Sequence, residues 1–220
     1  MPACIPADTA RRGLVAVALA GALAACTAAP SPTPTASTSP PAPPAATASP
    51  EPTELAALRA RPLRFPGLTA GDGCPVTPTV ALDPPPPSGH ALSTGGPPSA
   101  LGHGPLFPDG RYYGDQGVLG VRSGHPHPGW YTAKTPWASR TGYRGWTLIR
   151  TARLDGSGRA LVELQLPDGI AIADAVPVNV QADWQYWGGG TEVTNPGCYA
   201  YQIDGAGFTE VIVFRAVVVP

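Results

Sequence analysis

Short apolar runs separated by turn residues dominate the chain beyond Tyr113. Residues 162–166 alternate between apolar and polar side chains, which is typical of a strand with one solvated face. The last run, residues 211–219 (VIVFRAVVV), is β-branched and aromatic, and this favours a central strand over an edge strand. We predict seven strands: Gly117–Arg122, Trp130–Lys134, Gly145–Leu154, Arg159–Leu166, Val176–Ala182, Cys198–Ile203 and Phe208–Val219.

Two glycine-rich segments, residues 155–158 and 204–207, lie between predicted strands and have the composition of hairpin turns. Seven short strands in about 105 residues match the size of an immunoglobulin domain. The sequence therefore predicts a mainly β fold, with an immunoglobulin-like antiparallel β-sandwich as the core over residues 111–220.

A short N-terminal helix is predicted over residues 53–61. Thr53 can cap its first turn, and Glu54 lies where the helix dipole favours an acidic side chain. Leu55 and Leu58 share one face of this helix, and we expect that face to dock on the domain.

Proline and glycine interrupt the chain between the helix and the predicted sandwich. Residues 65–110 contain 11 Pro and 9 Gly, so we predict an irregular lobe that, together with the helix, spans residues 53–110. Residues 83–110 show no periodic pattern, and we expect this segment to be structureless and mobile.

Composition and charge exclude several classes of protein. With 30 Pro and 27 Gly in 220 residues, the chain cannot form a helix bundle, a coiled coil or a long helical repeat. Its formal net charge of −1 lacks the basic excess with which nucleic-acid binders neutralise phosphates. No nucleic-acid partner is therefore predicted.

The first 25 residues have the features of a lipoprotein signal peptide. Arg11 and Arg12 precede thirteen uncharged residues, 13–25, which as a helix span about 20 Å and are too short to cross a bilayer. Residues 23–26 (LAAC) resemble a bacterial lipobox, in which Cys26 is lipidated after cleavage. A plain signal peptide with a chance cysteine is the alternative, and both the general secretory and the twin-arginine export routes stay open.

Residues 26–52 are predicted to form a lipid anchor and a solvated linker. Positions 27–52 hold 9 Pro, 7 Ala, 5 Thr and 4 Ser, with Glu51 as the single charged residue. Such a segment favours polyproline II, and fully extended it would reach about 80 Å. We expect the protein to be extracytoplasmic and held to the outer leaflet of the bacterial cell membrane through the lipid on Cys26.

Two cysteines remain after Cys4 leaves with the signal peptide and Cys26 is lipidated. We predict that Cys74 and Cys198 form a disulfide, because an exported domain folds in a compartment that permits one. Two buried free thiols are the main alternative. A Cys–His metal site is less favoured, since neither cysteine has a second ligand at metal-site spacing.

Three segments resemble a group of uncharacterised exported bacterial proteins, many of them actinobacterial lipoproteins. They are residues 61–78 (with GCPVTP), 143–156 (YRGWTLIRTARLDG) and 195–218 (beginning NPGCYAY). The group carries similar segments around a predicted β-sandwich, and Tyr199 stands where its pattern usually has Trp. The resemblance implies a fold and an exported location, but no activity and no catalytic residues.

A histidine cluster offers one candidate site. His125 and His127 lie one residue apart, and with the upstream His103 they could bind zinc in a metal-binding envelope module. Proline and glycine flank both residues, however, which favours an exposed turn. We therefore keep the zinc module as the alternative function.

Aromatic residues offer another candidate. Trp184, Tyr186 and Trp187 precede three glycines, and exposed rings in a row can stack on sugars. Packing in the core is the favoured explanation, but Trp187, beside the glycine run, is expected to be the most exposed. A loop over residues 184–190 would then contact a cell-wall glycan or an envelope protein.

No catalytic constellation is found in the sequence. Ser157 belongs to a predicted turn, and the acids Asp168, Asp174 and Asp183 lie beside turns or small residues, where surface exposure explains them. We therefore predict a membrane-anchored extracytoplasmic lipoprotein with a binding domain, not an enzyme, and no cofactor.

Overall fold

The structure is a computed structural model that describes residues 50–69, 71–93, 95–114, 116–124 and 127–220. The predicted signal peptide, Cys26 and nearly all of the predicted linker lie outside the described residues, as does His125. Within the described ranges, no helix has the length and apolar character that crossing a membrane requires.

One α-helix, two short 3-10 turns and fourteen strands form the described part of the chain. Helix α1 spans Thr53–Arg59, and the 3-10 turns span Ala91–Ser93 and Gly110–Tyr112. The strands are β1 (Thr79–Ala81), β2 (Ser99–Leu101), β3 (Leu106–Pro108), β4 (Val118–Ser123), β5 (Tyr131–Lys134), β6 (Trp137–Ser139), β7 (Gly145–Arg153), β8 (Ala160–Leu166), β9 (Gly169–Ala173), β10 (Ala175–Val180), β11 (Tyr186–Trp187), β12 (Gly189–Val193), β13 (Gly197–Gly205) and β14 (Phe208–Val218).

The core is a β-sandwich made from one bent sheet. Nine strands are hydrogen-bonded in the order β10-β7-β13-β14-β4-β5-β12-β8-β9. Strand β4 pairs with β14 through residues 118–121 and with β5 through residues 122–123. The sheet therefore turns along β4 from a first layer, made of β10, β7, β13 and β14, into a second layer, made of β5, β12, β8 and β9. Ile149 and Phe214 of the first layer pack in one buried cluster with Val162 of the second. The mainly β, sandwich-like fold is confirmed, and all seven predicted strands are present.

Two details of the predicted topology are wrong. Strands β14 and β4 pair in parallel, so the sandwich is not fully antiparallel. Residues 155–158 do not form a hairpin, because β7 pairs with β10 and β13 while β8 pairs with β9 and β12. The turn at residues 204–207 does form the predicted hairpin, between β13 and β14. An immunoglobulin topology is not established by this strand order.

Helix α1 covers the outer face of the first layer at β7. Leu55 and Leu58 are buried and pack on Leu148, with Trp146 at the edge of the contact. The predicted docking face is therefore confirmed. Thr53 does not cap the helix, because Thr53 is itself the first helical residue and the N-cap position belongs to the residue before it, with no side-chain cap.

The Cys74–Cys198 disulfide is present, with the two Cα atoms 5.5 Å apart. It holds the described residues of segment 62–78 against the outer face of β13 and β14, where Phe65 and Leu68 pack beside the bridge. The alternative of two free thiols is excluded. By the chain-entropy model, a bridge that closes a loop of this length stabilises the fold by about 4 to 5 kcal/mol.

The expectation that residues 83–110 are structureless is wrong. The segment contains a 3-10 turn and strands β2 and β3, and β3 joins β6 and β11 in a three-stranded sheet. Leu92, Leu101 and Phe107 are fully buried. A few large apolar side chains spaced between prolines and glycines are enough to anchor the segment, because each one buries its area against a neighbouring sheet.

A buried charge cluster fixes the start of segment 62–78. The Asp204 carboxylate is fully buried and accepts hydrogen bonds from Arg150 at 2.5 Å and Thr209 at 2.6 Å. Arg150 also donates to the Arg61 carbonyl at 2.8 Å, and Gln202 donates to the Pro62 carbonyl at 3.0 Å. The cluster therefore joins β7 and β13 to the segment that covers them.

Replacing Asp204 tests this cluster. We expect Asp204→Ala to lower the free energy of unfolding by about 3–5 kcal/mol, because Arg150 is left buried without its counter-ion. Urea unfolding measures the change. The matched control is Asp183→Ala, which removes a carboxylate paired with Arg144 at 2.7 Å but half-exposed, and should change the stability little. Equal losses of unfolding free energy in the two variants would contradict the conclusion that the buried Asp204 cluster stabilises the fold.

Candidate functional site

A cleft of about 290 Å³ opens on the outer face of the first layer, beside helix α1. It lies where β7 and β10 meet the β8–β9 turn and the segment that leads into β11. Two indole rings, three carboxamides and one carboxylate line it together with proline and leucine side chains. The residues with rings or polar groups are Trp146, Trp187, Asn179, Gln181, Gln185 and Asp168.

The alternation of side chains along β10 creates the polar wall of this cleft. Val176, Val178 and Val180 point into the core and are almost fully buried. The intervening Asn179 therefore faces outward, and its strand partner on β7 is Trp146. An indole ring and a carboxamide are thus placed side by side by strand register alone.

Gln185 is held in a defined orientation at the rim. Its side-chain oxygen accepts hydrogen bonds from the backbone N–H groups of Gln181 at 2.6 Å and Ala182 at 3.1 Å. Its side-chain NH₂ group has no hydrogen-bond partner among the described residues, and neither has the carboxamide of Asn179. Both groups are free to bind a ligand in the cleft.

The three aromatic residues predicted to form one binding loop lie in different places. Trp184 is 8% exposed and packs with Phe107 in a second core cluster, while Trp187 is 5% exposed and belongs to the main core. Tyr186 is half-buried beside His90, and burial, as the largest cause, raises its pKa to about 12. The expectation that Trp187 is the most exposed ring is wrong.

The glycine run explains this error. Gly189 and Gly190 are strand residues of β12 and not loop residues. A Cβ atom on Gly189 would lie 2.2 Å from the carbonyl oxygen of Glu163, so the missing side chain lets β12 and β8 approach closely. The run therefore marks strand packing, and only the edge of Trp187 reaches the cleft.

The predicted histidine ligands are not brought together in the described part of the chain. His103 is exposed, and its backbone N–H donates to Glu210 at 2.6 Å. His127 Nδ1 lies 2.6 Å from a carboxylate oxygen of Glu192. The described residues contain no group of three His, Cys, Asp or Glu side chains that could hold a metal ion. Since His125 lies outside them, the zinc module stays a prediction.

Comparisons with known proteins add little. No protein-family model matches the chain, and no curated protein matches it. A solved structure described as the N-terminal domain of PorA aligns with 45% of this chain and 86% of its own, at 9% identity and a TM-score of 0.28. A likeness at that TM-score carries no argument about fold or function.

The burial of Trp187 predicts its role in stability. We expect Trp187→Ala to lower the free energy of unfolding by about 3–5 kcal/mol, because it opens a cavity in the core. Gln181→Ala, at the exposed rim of the same cleft, should leave stability nearly unchanged. Urea unfolding of both variants compares them, and a stable Trp187→Ala protein would show that the ring is not a core residue.

Proposed function

We propose that this protein is a lipid-anchored extracytoplasmic binding domain that acts without catalysis and binds a neutral sugar unit of a cell-wall glycan. The observation that carries the proposal is the cleft that Trp146 and the edge of Trp187 line together with Asn179, Gln181 and Gln185. The location rests on the sequence of the first 52 residues.

The chemistry of the cleft complements a sugar ring. A pyranose presents an apolar C–H face and hydroxyl groups that both donate and accept hydrogen bonds. The indole ring of Trp146 and the edge of Trp187 supply apolar surface, and the carboxamides supply donors and acceptors. Among the described residues, Asp168 is the one charged residue that lines the cleft, so an anionic group finds no cation of the described residues there. The volume lies near the lower limit of small-molecule pockets, which suits one sugar unit.

The disulfide supports an extracytoplasmic location, because such bridges persist in oxidising compartments. The prolines and small residues of the linker would hold the domain at a distance from the membrane, within reach of the cell wall. Cys26 at the end of the lipobox-like segment would supply the anchor, and the resemblance to exported lipoproteins agrees with this arrangement.

Glycan binding is tested by cosedimentation of the protein with purified, protein-free cell walls. We expect Asn179→Ala to weaken retention about tenfold, because a buried sugar hydroxyl loses its partner. Asn195→Ala is the matched control, since Asn195 is exposed and lies outside the cleft. Equal retention of the two variants would exclude this cleft. Retention of neither variant nor wild type would exclude the glycan and favour an envelope protein as partner.

The anchor is tested separately in a bacterial host that processes lipoproteins. We expect the wild-type protein to incorporate labelled palmitate and to sediment with membranes. Cys26→Ser should abolish both, because the thioether cannot form, whereas Cys4→Ser should change neither. Labelling that survives Cys26→Ser, or its absence from the wild type, would contradict the lipid anchor.

A further inference from the structure

The outer face of the second layer contains a hollow of about 180 Å³ that shares no residue with the proposed glycan cleft. Its base is β12 at Gly189 and Gly190, between the neighbouring strands β5 and β8. Side chains of three strands surround it: Thr132 and Lys134 from β5, Glu163 from β8 and Glu192 from β12.

The hollow exists because position 190 has no side chain. The strand partners of Gly190 are Lys134 on β5 and Glu163 on β8. A Cβ atom at this position would lie 3.1 Å from the Ala133 carbonyl oxygen and 3.6 Å from the Glu163 carboxylate. Any side chain at position 190 would therefore occupy the space between the two charged neighbours.

Glu192 presents a carboxylate oxygen that lacks a donor. Its side chain is only 1% exposed, and one of its oxygens lies 2.6 Å from His127 Nδ1. The other oxygen, Oε1, is buried and has no hydrogen-bond partner among the described residues. An unpartnered buried carboxylate oxygen is destabilising, and its uncompensated negative charge favours a cation in the adjoining hollow.

The remaining charges leave the hollow negative. The Glu163 carboxylate has neither an ion pair nor a hydrogen bond within the described part of the chain. The Lys134 ammonium lies over the ring of Tyr112, 5.6 Å from its centroid, and has no carboxylate partner among the described residues. Two carboxylates thus border a small space that no cation of the described residues occupies.

We propose that this hollow binds the ammonium group of a primary amine. An ammonium group is compact and directs three donors from one atom, which suits a small space between Glu163 and Glu192. A planar guanidinium needs more room. The described residues offer no group of three ligands for a metal ion.

Heteronuclear NMR tests the proposal on the full-length chain carrying Cys26→Ser. The probe is n-butylamine hydrochloride at neutral pH, with n-butanol as the uncharged control of equal length and sodium chloride as the ionic-strength control. We expect saturable shifts of the Gly189 and Gly190 amide signals with the amine alone. Equal shifts with butanol or with salt would overturn the proposal.

Variants then assign the binding to named groups. Glu163→Gln should weaken amine binding about tenfold, whereas Asp168→Asn, which neutralises the carboxylate of the separate glycan cleft, should leave it unchanged. Gly190→Ala should also weaken binding by filling the hollow. Lys134→Gln should leave the amine bound at least as tightly, since it removes a like charge. Unchanged affinity in Glu163→Gln, with an unchanged melting temperature, would overturn the proposal.

Discussion

Both faces of β13 and of the middle of β14, residues 212–214, are buried, and the rest of the domain is arranged to meet this constraint. On the inner face, Tyr201 stacks on Phe214 with ring centroids 4.6 Å apart, and Trp137 packs edge-on against Tyr201 at 5.1 Å. The second layer of the sandwich covers these rings. On the outer face, Ala200 and Val213 are also buried, so a further piece of chain must cover them. Segment 62–78, attached by the disulfide, meets that need.

Double burial also explains the placement of the charges. Asp204 belongs to the hairpin and is fully buried, so its carboxylate must find donors inside the protein. Arg150 and Thr209 provide them, and Arg150 in turn donates to the backbone carbonyl of Arg61, directly before the covering segment. The polar cluster and the disulfide therefore hold the same segment at its two ends. The strength of the polar cluster depends on its geometry and on desolvation, whereas the disulfide holds the segment by a covalent bond.

The two proposed sites lie on outward-facing side chains of strands whose other face forms the core. At the glycan cleft, Asn179 and Trp146 are strand partners, and their neighbours along β10 and β7 are buried. At the amine hollow, Gly190 leaves a space beside Glu163 on the adjacent strand. In both places the sheet fixes the spacing between functional groups, so little conformational entropy is lost when a ligand binds. The cleft offers indole and carboxamide groups, whereas the hollow is bordered by two carboxylates, and this difference separates the ligands that each would take.

Local pattern was sufficient for some features of this protein and insufficient for others. Local pattern predicted three elements correctly, because burial of one face is encoded within a few consecutive residues. They are the strand at residues 162–166, the helix with its leucine pair and the long strand β14. The two cysteines predicted their bridge because a single pairing was possible in the exported domain. Local pattern could not predict three other features. They are the regular structure within residues 83–110, the crossing of the chain between layers at residues 155–158 and the burial of Trp187. Each of these features depends on contacts with strands distant in sequence. A glycine run has the same local sequence whether it forms a turn or lets two strands approach closely.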